Sequence, residues 1–253
     1  MVPELLSLPY SPWSERARFA LDVRGVHYVK KHFQPLLGEP ALRFRIKKFS
    51  GNVTVPVLFT DGGFHTDSLD IAKWANTQGT GPDLFPRDRE SDISALHALS
   101  ESALGAGRGL SLRRVLEDEE ALRELVPPKL RSLGGVAIAI ARSGVKRTLS
   151  KYGAARRAPD EERATLRKAL EDLRSFISKS TTRQGEKARP LFGELSFGDI
   201  TASQALSFVV PPVHSSYRIG EASRRAFEDP DMKREFSDLV AWRDALYASY
   251  RSP

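Results

Sequence analysis

Val55-Pro56-Val57-Leu58-Phe59-Thr60-Asp61-Gly62-Gly63-Phe64-His65-Thr66-Asp67-Ser68 is the stretch that decides the fold. Residues 55–60 are mostly apolar and read as a strand. Asp61-Gly62-Gly63 supplies a turn, and Phe64-His65 begins a short return strand. Asp67 or Ser68 then caps a helix that runs to Asn76, with Leu69, Ile71, Ala72 and Trp74 as its apolar residues. Pro56 is awkward at the entrance of an apolar strand unless it ends a loop or forms a cis turn.

Working outward toward the N-terminus, the same alternation continues. Leu5, Leu6 and Leu8 make a short apolar strand stopped by Pro9. Pro12 opens a helix with Ala17, Phe19, Ala20, Leu21 and Val23 as apolar positions, and Gly25 ends it. Residues 28–33 read as a second strand, and Pro40 starts a helix through Phe49. The order is β-α-β-α-β-β-α. A strand–helix–strand unit needs a crossover, so part of the sheet is expected to be parallel.

Beyond Gln78 the character changes. Residues 79–89 (GTGPDLFPRDR) are rich in Gly, Pro and charge, which is linker chemistry. Strand signals are then scarce. Helical periodicity predicts helices over about 88–104, 117–141, 159–179, 196–208 and 231–247, an all-α bundle. Gly105, Gly107 and Gly109 are expected to end or kink the first of these. Leu195-Ser196-Phe197-Gly198-Asp199-Ile200 is a capping-box variant, with Ser196 at the N-cap, Asp199 three residues on, and Leu195 facing Ile200 as a staple. The expected organisation is a mixed α/β N-terminal domain over 1–78, a linker over 79–90, and an all-α helical-bundle C-terminal domain over 91–253.

Composition excludes several classes. The 253 residues contain no cysteine, which removes disulfides, thiolate metal sites and any cysteine nucleophile. Thiol chemistry must therefore use a thiol brought in from outside. The five histidines are scattered, and no metal site is expected. The longest small-apolar run, residues 134–141, is far short of the roughly 20 residues of a membrane span. The N-terminus reads as no signal peptide, so the expected location is cytoplasmic, with no membrane and no nucleic-acid partner. The net charge is +7. Residues 142–159 hold six basic residues and no acid, and the expectation is a solvated basic loop between helices.

Three ligand-capable spots follow one another. Ser11, in Ser11-Pro12-Trp13-Ser14, precedes the first helix, where free N–H groups and the helix dipole favour a thiolate. A cis Pro56 would leave the Val55 backbone N–H and C=O free to pair with an extended peptide-like ligand. Asp67-Ser68, after Thr66, forms a helix start suited to a carboxylate.

Residues 11–18 (SPWSERAR), Val55-Pro56-Val57-Leu58, Asp67-Ser68-Leu69-Asp70-Ile71, Leu84-Phe85-Pro86 and Ser196-Phe197-Gly198-Asp199 together resemble the soluble glutathione transferases, in the serine-type form of the active site. The motifs occur in the family's order and span nearly the whole chain. The resemblance implies an α/β thioredoxin-like N-terminal domain followed by an all-α helical C-terminal domain, glutathione as cosubstrate, no metal, a small electrophilic substrate and a homodimer. Transferred residue by residue, it makes Ser11 the catalytic hydroxyl donor to the glutathione sulfur, with Tyr10 as the rival donor. It assigns Val55, Pro56, Asp67, Ser68, Ser14 and Lys48 to glutathione and Tyr10 and Trp13 to the substrate pocket, with further pocket side chains from residues 95–114. Two departures stand out: Asp67 replaces the usual Glu, and residues 49–54 (FSGNVT) lack the family's Asn-Pro pattern. That leaves the basic contact there among Lys47, Lys48 and Asn52. The implied reaction is attack of a glutathione thiolate on a small hydrophobic electrophile. The alternatives are a noncatalytic binding protein on the same fold, or a glutathione-dependent isomerase, ether-cleaving enzyme or dehalogenase.

Overall fold

The computed structural model describes residues 1–35, 38–178 and 190–251. The N-terminal unit contains β1 (Glu4–Ser7), α1 (Pro12–Val23), β2 (Val29–His32), α2 (Glu39–Arg45), β3 (Val57–Thr60), β4 (Gly63–His65) and α3 (Ser68–Gln78). The strands form one sheet in the order β2-β1-β3-β4. β1 and β2 are parallel, as the crossover requires, and β1/β3 and β3/β4 are antiparallel. This is the expected thioredoxin-like arrangement. α2 is shorter than the sequence suggested: it stops at Arg45, before Lys47 takes a left-handed φ of 53°.

α1 joins the two units because it is apolar on two faces. Ala17 and Leu21 pack with Leu5, Leu58, Ile71 and Ala75 under the sheet. Phe19 and Ala20 pack into the helical core with Leu84, Leu96 and Phe197. The connection at residues 79–82 is clamped rather than loose. The Arg24 guanidinium donates to the carbonyls of Asn76 at 2.8 Å and Pro82 at 2.6 Å, and also to those of Gly79 and Gly81.

The second unit is helical. It comprises α4 (Glu90–Glu117), α5 (Glu119–Leu125), α6 (Gly135–Lys151), α7 (Pro159–Ile177), α8 (Phe197–Gln204), α9 (Glu221–Phe227), α10 (Pro230–Glu235) and α11 (Ser237–Tyr250). α8 is buried along its whole length. Its Asp199 carboxylate accepts from Ser196 N–H at 2.9 Å, from the Ser196 hydroxyl at 2.7 Å and from Leu191 N–H at 2.7 Å. The expected staple and box are both present, and α8 ends at Gln204 rather than at 208.

Several helix limits differ from expectation, each for a physical reason. The glycines do not end α4, which runs on to Glu117. Two of them permit close approach instead: a Cβ on Gly107 would lie 2.7 Å from Phe208 Cβ, and one on Gly109 would run into the Glu162 carboxylate. The expected helix over 117–141 is broken at Pro127-Pro128, because proline lacks the N–H and clashes with the preceding turn. The expected helix over 231–247 breaks at Phe236 into α10 and α11. The expected end at Lys179 lies outside the described residues. Residues 142–159 are not a basic loop. Their first ten residues form the second half of α6, and much of their charge is engaged: Arg142 donates to Leu116 O at 2.7 Å and Lys151 to Val53 O at 2.6 Å. No helix among the described residues is long and apolar enough to cross a membrane.

Candidate functional site

A cavity of about 730 Å³ opens where the two units meet. One wall comes from the N-terminal unit: the turn before α1, the segment before β3 and the start of α3. The other comes from α4 and α6, with Phe208 and Phe227 behind.

Ser11 stands at the N-cap of α1 and lines the cavity. Its Oγ accepts from Ser14 N–H at 3.4 Å, longer than a good N–H···O bond, and its own O–H donates to no group among the described residues. The turn that carries it is held from behind. Arg18 donates to the carbonyls of Leu8 at 3.0 Å and Pro9 at 3.2 Å, and Arg218 N–H donates to Pro9 O at 3.2 Å. Ser14 is fully buried, and its hydroxyl accepts from Leu8 N–H at 3.1 Å. It braces the turn and is not part of the cavity wall.

Tyr10 and Trp13 line the cavity. Tyr10 meets Phe227 edge-on at 6.5 Å, and burial pushes its phenol up to about 12, so it stays protonated at neutral pH. The Trp13 indole Nε1–H donates to both Glu101 oxygens, at 3.0 and 3.1 Å.

The Val55-Pro56 bond is cis, and both residues line the cavity ahead of the β3 ladder. Asp67 is the N-cap of α3. Its Oδ1 accepts from Leu69 N–H at 2.7 Å, and its Oδ2 makes no hydrogen bond among the described residues. Ser68 is buried, and its hydroxyl accepts from Arg16 Nη1 at 3.3 Å. The structure thus brings Tyr10, Ser11, Trp13, Val55, Pro56, Asp67 and Ser68 to one cavity. Lys48 is exposed and stands outside the wall, as do Lys47 and Asn52.

Several residues that sequence reasoning passed over belong here. Arg16 is fully buried beneath Ser68, with Nη1 2.6 Å from Glu101 Oε1 and Nη2 donating to Ser100 Oγ at 2.9 Å. Burial alone would raise the Glu101 carboxyl, but the charge and hydrogen bonds of Arg16, the Trp13 hydrogen bond and His97 hold it below the ordinary range. Arg43, Arg108, Arg147 and Lys151 add positive charge to the wall. Glu39 is held by Arg43 at 2.7 Å, with Arg147 at 3.7 Å. Among these, only the spacing of Glu101, Arg108, Leu112 and Val115 on one face of α4 was available as a signal. Among the described residues, no cluster of His, Asp or Glu is arranged to hold a metal ion.

Comparison with known proteins agrees with this layout. Residues 10–78 match the sequence family described as the glutathione S-transferase N-terminal domain. No curated protein matches the chain by sequence. Among solved structures, the glutathione transferase GSTFuA3 of Phanerochaete chrysosporium superposes with a TM-score of 0.62 at 18% identity, over 100% of this chain and 98% of that one. A glutathione S-transferase of Methylobacillus flagellatus, solved with glutathione bound, gives 0.61 at 14%, over 98% and 97%. The trimeric glutathione transferase TDR1 of Leishmania gives 0.60 at 16%, over 99% of this chain and 46% of that one, so this chain spans less than half its length. Residues 10–78 thus match a glutathione S-transferase N-terminal domain, and the chain as a whole shares the two-unit fold of these solved glutathione transferases.

Proposed function

We propose that this protein is a glutathione transferase that binds glutathione along the N-terminal wall and directs its thiolate at a small hydrophobic electrophile. The observation that carries the reading is the convergence, in one cavity, of a loosely engaged Ser11 hydroxyl at a helix N-terminus, the Val55-Pro56 segment and the Asp67-Ser68 helix start.

In this reading the γ-glutamyl end lies at α3. Ser68 and its N–H take the carboxylate, and the second oxygen of Asp67 takes the ammonium. The Val55 backbone pairs with the cysteinyl part. The glycyl carboxylate lies toward Lys151 and Arg43, which line the cavity where Lys48 does not.

Ser11 donates its hydroxyl to the sulfur. A free thiol with pKa near 8.5 is only a few per cent ionised at neutral pH, and lowering it by about two units requires roughly 2.7 kcal/mol of preferential thiolate binding. One hydrogen bond to a charged acceptor supplies about 1.5–3 kcal/mol, and the helix terminus adds up to about 1. The two together suffice without a general base. The sulfur then attacks the electrophile among Tyr10, Trp13, Phe208 and Phe227. Tyr10, protonated and on the same wall, is the rival donor.

The test pairs calorimetric glutathione binding with conjugation assays on a panel of electrophiles. Ser11→Ala should depress turnover more than glutathione affinity, because the hydrogen bond strengthens as charge grows on sulfur. Loss of activity in Tyr10→Phe with activity intact in Ser11→Ala would move the role to Tyr10. We further propose a homodimer in the cytoplasm. Light scattering should give twice the 28.1 kDa chain mass.

A further inference from the structure

The α4 side of the cavity carries a cation that no carboxylate pairs with among the described residues. Arg108 lines the cavity, half-buried, with its guanidinium carbon 3.6 Å from the Tyr152 ring centroid and 4.7 Å from that of Trp13. Among the described residues it makes no ion pair and no hydrogen bond. The carboxylates around it are committed elsewhere. Glu101 is held by Arg16 and Trp13, Glu39 by Arg43, and Glu162 by Arg113. Burial holds the Arg108 guanidinium below its ordinary range, opposed by Tyr152, Glu101 and Glu162, while Arg157 adds repulsion.

A desolvated guanidinium without an anion is costly unless a ligand supplies one. Its face is against aromatic rings, which leaves the N–H edge to grip a planar carboxylate in two-pronged fashion. One and two turns along α4 from Arg108 come Leu112 and Val115, and Phe208 and Phe227 close the apolar side. The cavity therefore presents one anion anchor set in a hydrophobic surface.

We propose that Arg108 is the specificity-determining anchor for the second substrate, and that this substrate is a small apolar carboxylic acid whose carboxylate binds the guanidinium while its apolar body lies against Trp13, Leu112 and Phe208. The assignment deepens the transferase reading and rests on it for the identity of the anion's carrier.

The experiment needs no turnover. An unreactive pair, dinitrobenzoate and its methyl ester, is titrated calorimetrically into the wild-type protein and into Arg108→Met, which keeps much of the apolar stem. The wild type should bind the acid about ten- to a hundredfold more tightly than the ester. Arg108→Met should lose that preference, with ester affinity unchanged within about twofold. Equal affinities for acid and ester in the wild type, no measurable acid binding, or a preference that survives in Arg108→Met overturns the proposal. The wild-type comparison holds even if the variant misfolds, and Arg108→Lys supplies a second variant that retains charge and should keep part of the preference. A glutathione titration separates the two readings. If glutathione fails to bind while the acid preference holds, the transferase reading falls and the anion site stands. Glutathione affinity should be the same in Arg108→Met as in the wild type, and a loss matching that for the acid would overturn the assignment to a second substrate.

Discussion

The two walls of the cavity are built by different means. The N-terminal wall uses small groups whose positions are fixed by backbone geometry: a capping hydroxyl at Ser11, a cis peptide at Val55-Pro56, and a capped helix start at Asp67-Ser68. The helical wall uses long side chains on α4 and α6, positioned by ring contacts and ion pairs. A wall made of backbone presents one fixed pattern to one ligand. A wall made of arginine, lysine and aromatic side chains can change its chemistry by single substitutions while the fold stays intact. The difference suggests a division of labour, with a fixed cosubstrate on one side and substrate choice on the other.

The firmest part of the first wall is the buried ion cluster beneath it, and breaking that cluster is expected to have the largest effect. Glu15, on α1, is fully buried between Arg18 at 2.8 Å and Arg251 at 2.7 Å, and also accepts from the Ser216 hydroxyl at 2.8 Å. Arg251, just past α11, bonds Asp22 as well, so the cluster ties the far end of the helical unit to α1. Removing one member of a buried pair leaves an uncompensated charge. Glu15→Ala should therefore cost about 3–5 kcal/mol of stability, measured by denaturant unfolding. The cluster also sets a pH dependence. Burial alone would raise the Glu15 carboxyl, but Arg18, Arg251 and the Ser216 hydrogen bond bring it below its ordinary range. A depressed carboxyl contributes stability that is present above its unfolded value of about 4.3 and lost as pH falls through the lower folded value. Stability should hold from neutrality to about pH 5 and drop below that. A drop of the same size in a folded Glu15→Gln variant would show that other carboxylates carry it.

Asp67 separates helix capping from ligand binding on the same wall. As a cap alone, Asp67→Ala should cost about 1 kcal/mol of stability and leave glutathione affinity unchanged. If its second oxygen also holds the ammonium, glutathione binding should weaken by roughly ten- to a hundredfold. Calorimetric titration of the folded variant distinguishes the two.

How much of this could be read in the sequence follows the same division. The β-α-β-α-β-β-α order, the hairpin at Asp61-Gly62-Gly63 and the box at Ser196 and Asp199 were legible because turns, caps and strand signals are local. Ser11, Val55, Pro56, Asp67 and Ser68 were legible for the same reason: each sits at an element boundary with its own signature. Glu101 and Arg108 were legible only as part of the broad expectation of pocket side chains from residues 95–114, and Arg16 and Lys151 not at all, because a charged residue inside a helix has the same local pattern whether it faces water or a cavity. Ser14 and Lys48 lie on the right segments but outside the cavity wall, a fact set by tertiary packing. Gly107 has the local pattern of a breaker because the neighbour that demands it, Phe208, is a hundred residues distant.

That neighbour gives the smallest effect. A Cβ at position 107 would sit 2.7 Å from Phe208 Cβ. Gly107→Ala gains up to about 1 kcal/mol of helix propensity but overpacks the contact at a cost of about 1–3 kcal/mol. The net expectation is a loss of roughly 1 kcal/mol, seen as a lower Tm. A higher Tm would mean that Phe208 gives way and that the helical wall is softer than its packing suggests.

In the proposed reading the N-terminal wall holds glutathione as a thiolate through Ser11. The most direct measurement is the pH titration of the ultraviolet thiolate absorbance of glutathione bound to the wild-type protein and to Ser11→Ala. In the wild type the bound thiol should ionise about two pH units below its free value near 8.5, and in Ser11→Ala most of that shift should disappear, leaving only the contribution of the helix terminus. A bound thiol that titrates near 8.5 in the wild type, or one that keeps its full shift without the Ser11 hydroxyl, would contradict the account.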